Sequence, residues 1–253
     1  DGVVLALTDC ALVDNEAGSD GGAVAMEGGE LAIEGGEISD NVADSGGGVF
    51  ADAVDDLTLS DVSLTGNEAS RDGGGLFIED ALSVELARLL LHDNEAADEG
   101  GAVFVTDIAA AASVSMTNSR LTENVASAGA GVCLVDNLAQ ASLVNNTFAG
   151  NDADADGAHL YLSAATVSFV NNIAWQGADG GGLYADDADS ALDSDFFYSA
   201  VSDNAGGDYA GELSDASGES GNIDDDPLLR SFSADGVEDN DDLHLTLASP
   251  CLS

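Results

Sequence analysis

Three aspartates at alternate positions, Asp152, Asp154 and Asp156, followed by Gly157, have the D-x-D-x-D-G spacing of the first half of a calcium loop. Alternate carboxylates ahead of a glycine turn can bring several oxygens onto one hard cation. The twelfth position, where a bidentate Glu would close the loop, holds Ser163. A solvated acidic turn therefore competes with calcium here. Two weaker acidic candidates are the stretch from Asp235 to Asp242 and a turn column of Asp20, Asp72, Glu99 and Asp156. Stacked carboxylates repel, and a bound cation or high salt would relieve that.

Other chemistry-bearing residues are sparse. The four arginines (Arg71, Arg88, Arg120, Arg230) occupy unrelated repeat positions and are not expected to converge. His92 and His159 read as surface residues. Asp224, Asp225, Asp226 and His244 are the residue types of a glycosidase site, but all lie in the tail. Glycoside hydrolysis needs only two placed carboxylates, and 49 acidic residues supply chance pairs. There is no H-E-x-x-H, C-x-x-C, G-x-S-x-G or phosphate-loop lysine. Cys10, Cys133 and Cys251 allow one internal pair at most, and Cys10 and Cys133 read as buried free thiols.

The formal net charge of -45, with no lysine, argues against nucleic acid, which requires a basic patch. It also argues against charge-driven binding to anionic lipid. Self-repulsion at this density calls for counterions, so an extracellular or cell-surface setting is expected. No run reaches the roughly 18 apolar residues of a membrane helix, so no membrane span is expected. Asp1-Gly2-Val3-Val4 lacks the features of a signal peptide, as a mature or excised form would. With 45% hydrophobic residues and only 2 prolines, the chain can build a core.

The elements that must position these residues emerge from a repeat. Asn15, Asn41, Asn67, Asn94, Asn124 and Asn151 recur every 26 to 30 residues. A large apolar residue stands three before each Asn, an alanine two after, and a pair of tiny residues six and seven after. The flanking apolar residues alternate with period two, so each copy reads as about three short strands between tight turns. One such coil cannot bury its own apolar face, whereas stacked coils can. The repeat predicts an all-β parallel β-helix of about seven coils. The Asn column would tolerate left-handed backbone at a turn and bond along the axis as a ladder.

The copies read L-V-D-N, I-S-D-N, L-T-G-N, L-H-D-N, L-T-E-N and F-A-G-N, followed by G-G-A-V, G-G-V-F, G-G-L-F, G-G-A-V, A-G-V-C and G-A-H-L. Over residues 1–185 this resembles the F-x-x-N and G-G-A-[ILV] repeats of chlamydial polymorphic membrane proteins, and more broadly secreted right-handed β-helix repeat proteins. The resemblance implies a right-handed coil and a surface or secreted passenger, often adhesive. Residues 222–229 and 243–251 are similar to the closing segment of many such proteins. No outer-membrane barrel follows, so autotransport is not expected.

The reading divides the chain into repeats over 1–185 and an irregular C-terminal cap or wrap over 186–253. Ten residues after each Asn an outward column runs through Ala25, Ala51, Phe77, Phe104, Leu134, Tyr161 and then Tyr184. Its second half is an apolar and aromatic stripe. Either the C-terminal segment packs over it, or it is a lateral contact for another subunit or a sugar. The first coil starts at Val3 without a cap, which suggests end-to-end assembly or removed sequence. The expected function is a non-catalytic extracellular structural or adhesive solenoid, possible partners being itself or a cell-surface polysaccharide. The alternative is a carbohydrate-active enzyme or sugar-binding module on the same fold.

Overall fold

The computed structural model describes residues 2–137, 139–188, 190–233 and 242–252. Three parallel sheets run along one axis. The period-two alternation explains them: in each rung, alternate residues point inward and stack on the same position one coil away. Leu31 pairs with Leu57, Leu57 with Val84, Val84 with Val114, Val114 with Ala141, and Ala141 with Val167. All are buried in one continuous core.

The first two rungs of the largest sheet are ten-residue strands, Val4–Val13 and Glu30–Ser39. Later rungs split into two short strands, such as Ser83–Ala87 and Leu90–His92, around a left-handed corner residue, here Arg88 with φ 55°. A five-stranded sheet of very short strands, beginning at Val42–Ala43, forms the second wall. The third wall has eight strands, from Val24–Glu27 to Tyr209–Gly211. Among the described residues there are thus eight rungs, one more than the seven coils expected from the repeat.

The extra rung comes from residues beyond 185. Ala191–Phe197, Ala200–Ser202 and Tyr209–Gly211 continue the parallel pairing, the first with a register shift. After a last parallel bridge of Ile223 to Ala200 the chain leaves the coil and forms an antiparallel hairpin of Leu229–Ser231 with Asp242–Leu245. Among the described residues, this tail lies against the wall that carries Arg120, Thr147 and Trp175, with Phe232 5.7 Å from Trp175. The aromatic stripe lies on a different wall, the eight-stranded one. Among the described residues no helix is long and apolar enough to cross a membrane.

Candidate functional site

The Asn column lies inside the coil wall. Asn41, Asn67, Asn94, Asn124 and Asn151 have 0% exposure, and Asn15 at the first rung is exposed. The left-handed residue is the one before each Asn (Asp14, Asp40, Gly66, Asp93, Glu123, Gly150), which corrects the role expected of Asn itself. That turn aims the amide along the axis. Each Nδ2 donates to the next Oδ1 at 2.8–2.9 Å, from Asn15 through Asn151. From Asn41 on, each also donates to a carbonyl of the preceding coil, such as Asn94 to Leu64 at 2.9 Å. Each Oδ1 accepts a second bond from the backbone N–H of the Asn before it. The glycine columns leave room for this wall: a Cβ at Gly74 would sit 2.4 Å from the Glu95 carbonyl oxygen.

Past Asn151 the ladder position holds Gly177, and His159 fills the space. Asn151 Nδ2 donates to His159 Nδ1 at 3.1 Å, and His159 Nε2 donates to Asn204 Oδ1 at 2.9 Å. Asn204 Nδ2 passes the row on to Asp208 Oδ1 at 2.8 Å. The amide orientations fix a neutral imidazole protonated on Nε2. Burial pushes its pKa down to about 4, against the hydrogen bonds to Asn204 and the Trp175 carbonyl. His159 is fully buried and His92 is 3% exposed, bonded to Thr122 Oγ1, so the surface reading of both is corrected.

A second polar row went unread in the sequence. Leu89 N–H donates to Ser119, whose N–H donates to Asn146; the row continues through Asn172 and Ser199 to Asn222. The doublets Asn145-Asn146 and Asn171-Asn172, 26 apart, were its signal.

The outward stripe is a ring stack. Its members are Ala25, Phe50, Phe77, Phe104, Cys133, Tyr161 and Tyr184. Ala51 and Leu134 instead point into the core, with 0% and 1% exposure, because the turns before them are one residue shorter. Phe50–Phe77 and Phe77–Phe104 stack at 5.0 and 5.2 Å, and Tyr161–Tyr184 at 5.5 Å. Phe77 and Phe104 are nearly buried. Their faces meet each other and their edges face outward, whereas a sugar stacks on a ring face.

Acidic residues flank this stack. The turn column is Asp20, Ser45, Asp72, Glu99, Ala128, Asp156 and Asp179, each ahead of a left-handed glycine. Burial raises the pKa of Asp72, and burial followed by repulsion from Asp72 and Asp98 raises that of Glu99. Asp152, Asp154 and Asp156 lie along one extended strand, Asp152–Asp156. Among the described residues no group of three or more His, Cys, Asp or Glu is placed to hold a metal ion. Asp152 is raised by burial, then by Asp179 and Asp154. Residues 235–241 of the second acidic stretch lie outside the described residues. All three cysteines are free; Cys133 is buried and Cys10 is half-buried.

The model of the right handed β-helix region family matches residues 1–148, more than half of the chain. The chain belongs to that family. No curated protein and no solved structure matched it. In this right-handed β-helix the arginines are not all scattered. Arg88 makes a paired surface contact to Asp61, both bonds at 2.7 Å. Arg71 lies 3.9 Å from Asp72. Arg120 and Arg230, however, line the same cavity, which corrects the expectation that none would converge.

Proposed function

We propose that this β-helix is a non-catalytic extracellular solenoid that acts through its surface, as an adhesive or structural module akin to the polymorphic membrane proteins its repeats resemble. One observation carries this reading. The amide rows and ring stacks run along the axis, so the side chains that enzymes converge on a substrate bond coil to coil instead. The outward surface is left dominated by carboxylates. Calcium would act as a counterion along Asp152, Asp154, Asp156 and the turn column, not as an ion in a closed pocket. Assembly with further copies, end to end or laterally, belongs to the same proposal.

The test incubates the purified chain with a panel of polysaccharides, with and without calcium, and follows retention and newly formed sugar ends together. Retention without cleavage is the expected result. Release of oligosaccharides would overturn the reading in favour of a carbohydrate-active enzyme. Negative-stain electron microscopy of the same samples reads assembly, with calcium-dependent fibres expected and dispersed short rods counting against it.

A further inference from the structure

The corner between the two halves of the large sheet presents one left-handed residue per rung. Asp61, Arg88, Asn118, Asn145, Asn171 and Tyr198 occupy it in turn, with φ between 53° and 58°. Asp61 and Arg88 pair with each other. The three amides that follow form an exposed row. Asn145 Nδ2 donates to Asn118 Oδ1 at 3.3 Å, and Asn171 Nδ2 donates to Asn145 Oδ1 at 2.6 Å. An amide has two N–H groups and two lone pairs on its oxygen. Asn145 therefore keeps one of each for a further partner, unlike the buried ladder, which uses all of them.

Asparagine suits a left-handed corner for backbone reasons alone, whereas tyrosine is disfavoured there. Tyr198 nevertheless ends the row. Its ring rests on Gly221, where a Cβ would sit 2.6 Å from Cδ1, and the residue stays 70% exposed. Phe197 lies 6.3 Å away and is tilted by 46°, so the two rings do not stack. Tyr198 thus keeps a ring face open, as Phe77 and Phe104 do not. Asn171 and Tyr198 also line a cavity of about 350 Å³ with Ile173, and Leu245, Pro250 and Cys251 of the C-terminal segment bound it. A cavity of that size, mostly apolar with a few polar groups, suits a small ligand.

The chemistry of these groups selects the ligand. A sugar hydroxyl both donates and accepts, so it pairs with the N–H and the C=O of an amide. An open ring face takes the C–H face of a sugar. The net charge of -45 opposes an anionic sugar. Further carboxylates at the rim would accept hydroxyls from a neutral one. From Asn118 to Tyr198 the row covers three rung steps, roughly 14 Å at the spacing of paired strands. A single column of that length falls far short of the roughly 800 Å² per partner of a stable protein interface. An extended small ligand fits it better than a second copy of the chain.

We propose that Asn118, Asn145, Asn171, Tyr198 and the adjoining cavity bind a neutral oligosaccharide that lies along the axis with one end in the cavity. Tyr198 stacks on the end sugar and the amides pair with hydroxyls of the following ones. The proposal rests on the adhesive reading above and gives it a ligand class and a place.

The full chain is screened on an array of neutral and acidic glycans, and the neutral ligands it retains are titrated by calorimetry. Saturable binding is expected, tightening from monosaccharide to trisaccharide, with acidic counterparts at least tenfold weaker. Tyr198→Gly and Asn145→Gly suit the left-handed backbone and should each weaken binding at least tenfold. Tyr184→Leu, on the ring stack of the eight-stranded wall, should leave affinity unchanged. In the unaltered chain, bound oligosaccharide should slow alkylation of Cys251, which lines the cavity, and not of Cys10 on the first rung. Full affinity in both glycine variants with Cys251 unshielded would overturn this site and leave the adhesive reading standing. Retention of acidic glycans alone would do the same. Retention of no glycan would overturn the site and sugar adhesion together.

Discussion

Acidification should weaken this β-helix through His159 in a way that replacing that one residue abolishes. The imidazole accepts a hydrogen bond from Asn151 on Nδ1 and donates one to Asn204 from Nε2, with no exposed surface. Its pKa is lowered from 6.5 to about 4 by burial. Between those values the unfolded chain binds a proton that the folded chain refuses, so stability from this group rises with pH. The contribution is complete above about pH 6.5 and is lost as pH falls towards 4. Each pKa unit is worth 1.36 kcal/mol, so the loss amounts to about 3 kcal/mol. Burial raises Asp72, Glu79, Glu99 and Asp208, which gain stability as pH falls, as does relief of the net negative charge. The difference between wild type and His159→Gln cancels these opposing trends. The assay is urea unfolding at constant ionic strength from pH 4 to 8, followed by the fluorescence of Trp175, the single tryptophan. Wild type should lose about 3 kcal/mol relative to the variant on going from pH 7.5 to 4. A flat difference, or an imidazole that titrates near 6.5 by NMR, would refute the argument.

Asn94→Ala removes two donated and two accepted hydrogen bonds inside the wall and leaves their partners buried; urea unfolding should show a loss of about 4 kcal/mol. Gly177→Ala puts a Cβ 3.0 Å from His159 Nε2 and 2.8 Å from the Ala158 Cβ, and should cost about 1–3 kcal/mol by the same measurement. Asn137, 2% exposed, occupies the interior column held elsewhere by Val54, Ala81, Ile108 and Ala165, and its amide makes no hydrogen bond among the described residues. Asn137→Val should therefore stabilise the protein by about 1–2 kcal/mol, read as a higher urea midpoint at unchanged slope.

The coil repeat and the Asn ladder were legible because each depends on one residue type at a nearly constant spacing. The aromatic stripe was legible only in part. Phe50 and Cys133 stand nine residues after their Asn where Phe77 and Phe104 stand ten, and a one-residue slip exchanges the faces of a strand. Counting from the Asn therefore put Ala51 and Leu134 outside and missed Phe50 and Cys133. His159 was misread because its place depends on a missing side chain at Gly177, eighteen positions on in the sequence but one rung away in space. The meeting of Arg120 with Arg230 and His244 depends on where the hairpin lies, and no local pattern encodes that.

The amide row also has a sense. From Asn15 to Asn151, and on through His159 to Asn204, every side-chain link donates in the same sense along the row, while the second N–H of each amide from Asn41 on turns back to a carbonyl of the preceding coil. The row is a one-dimensional array of aligned dipoles that polarise one another. Its electropositive head ends on a carboxylate, Asp208, held by both the backbone and side-chain N–H groups of Asn204. The anion caps the array as an acidic side chain caps the start of a helix. The interior of this rod therefore has an electrical polarity, set entirely by neutral side chains and anchored at one end by a single charge.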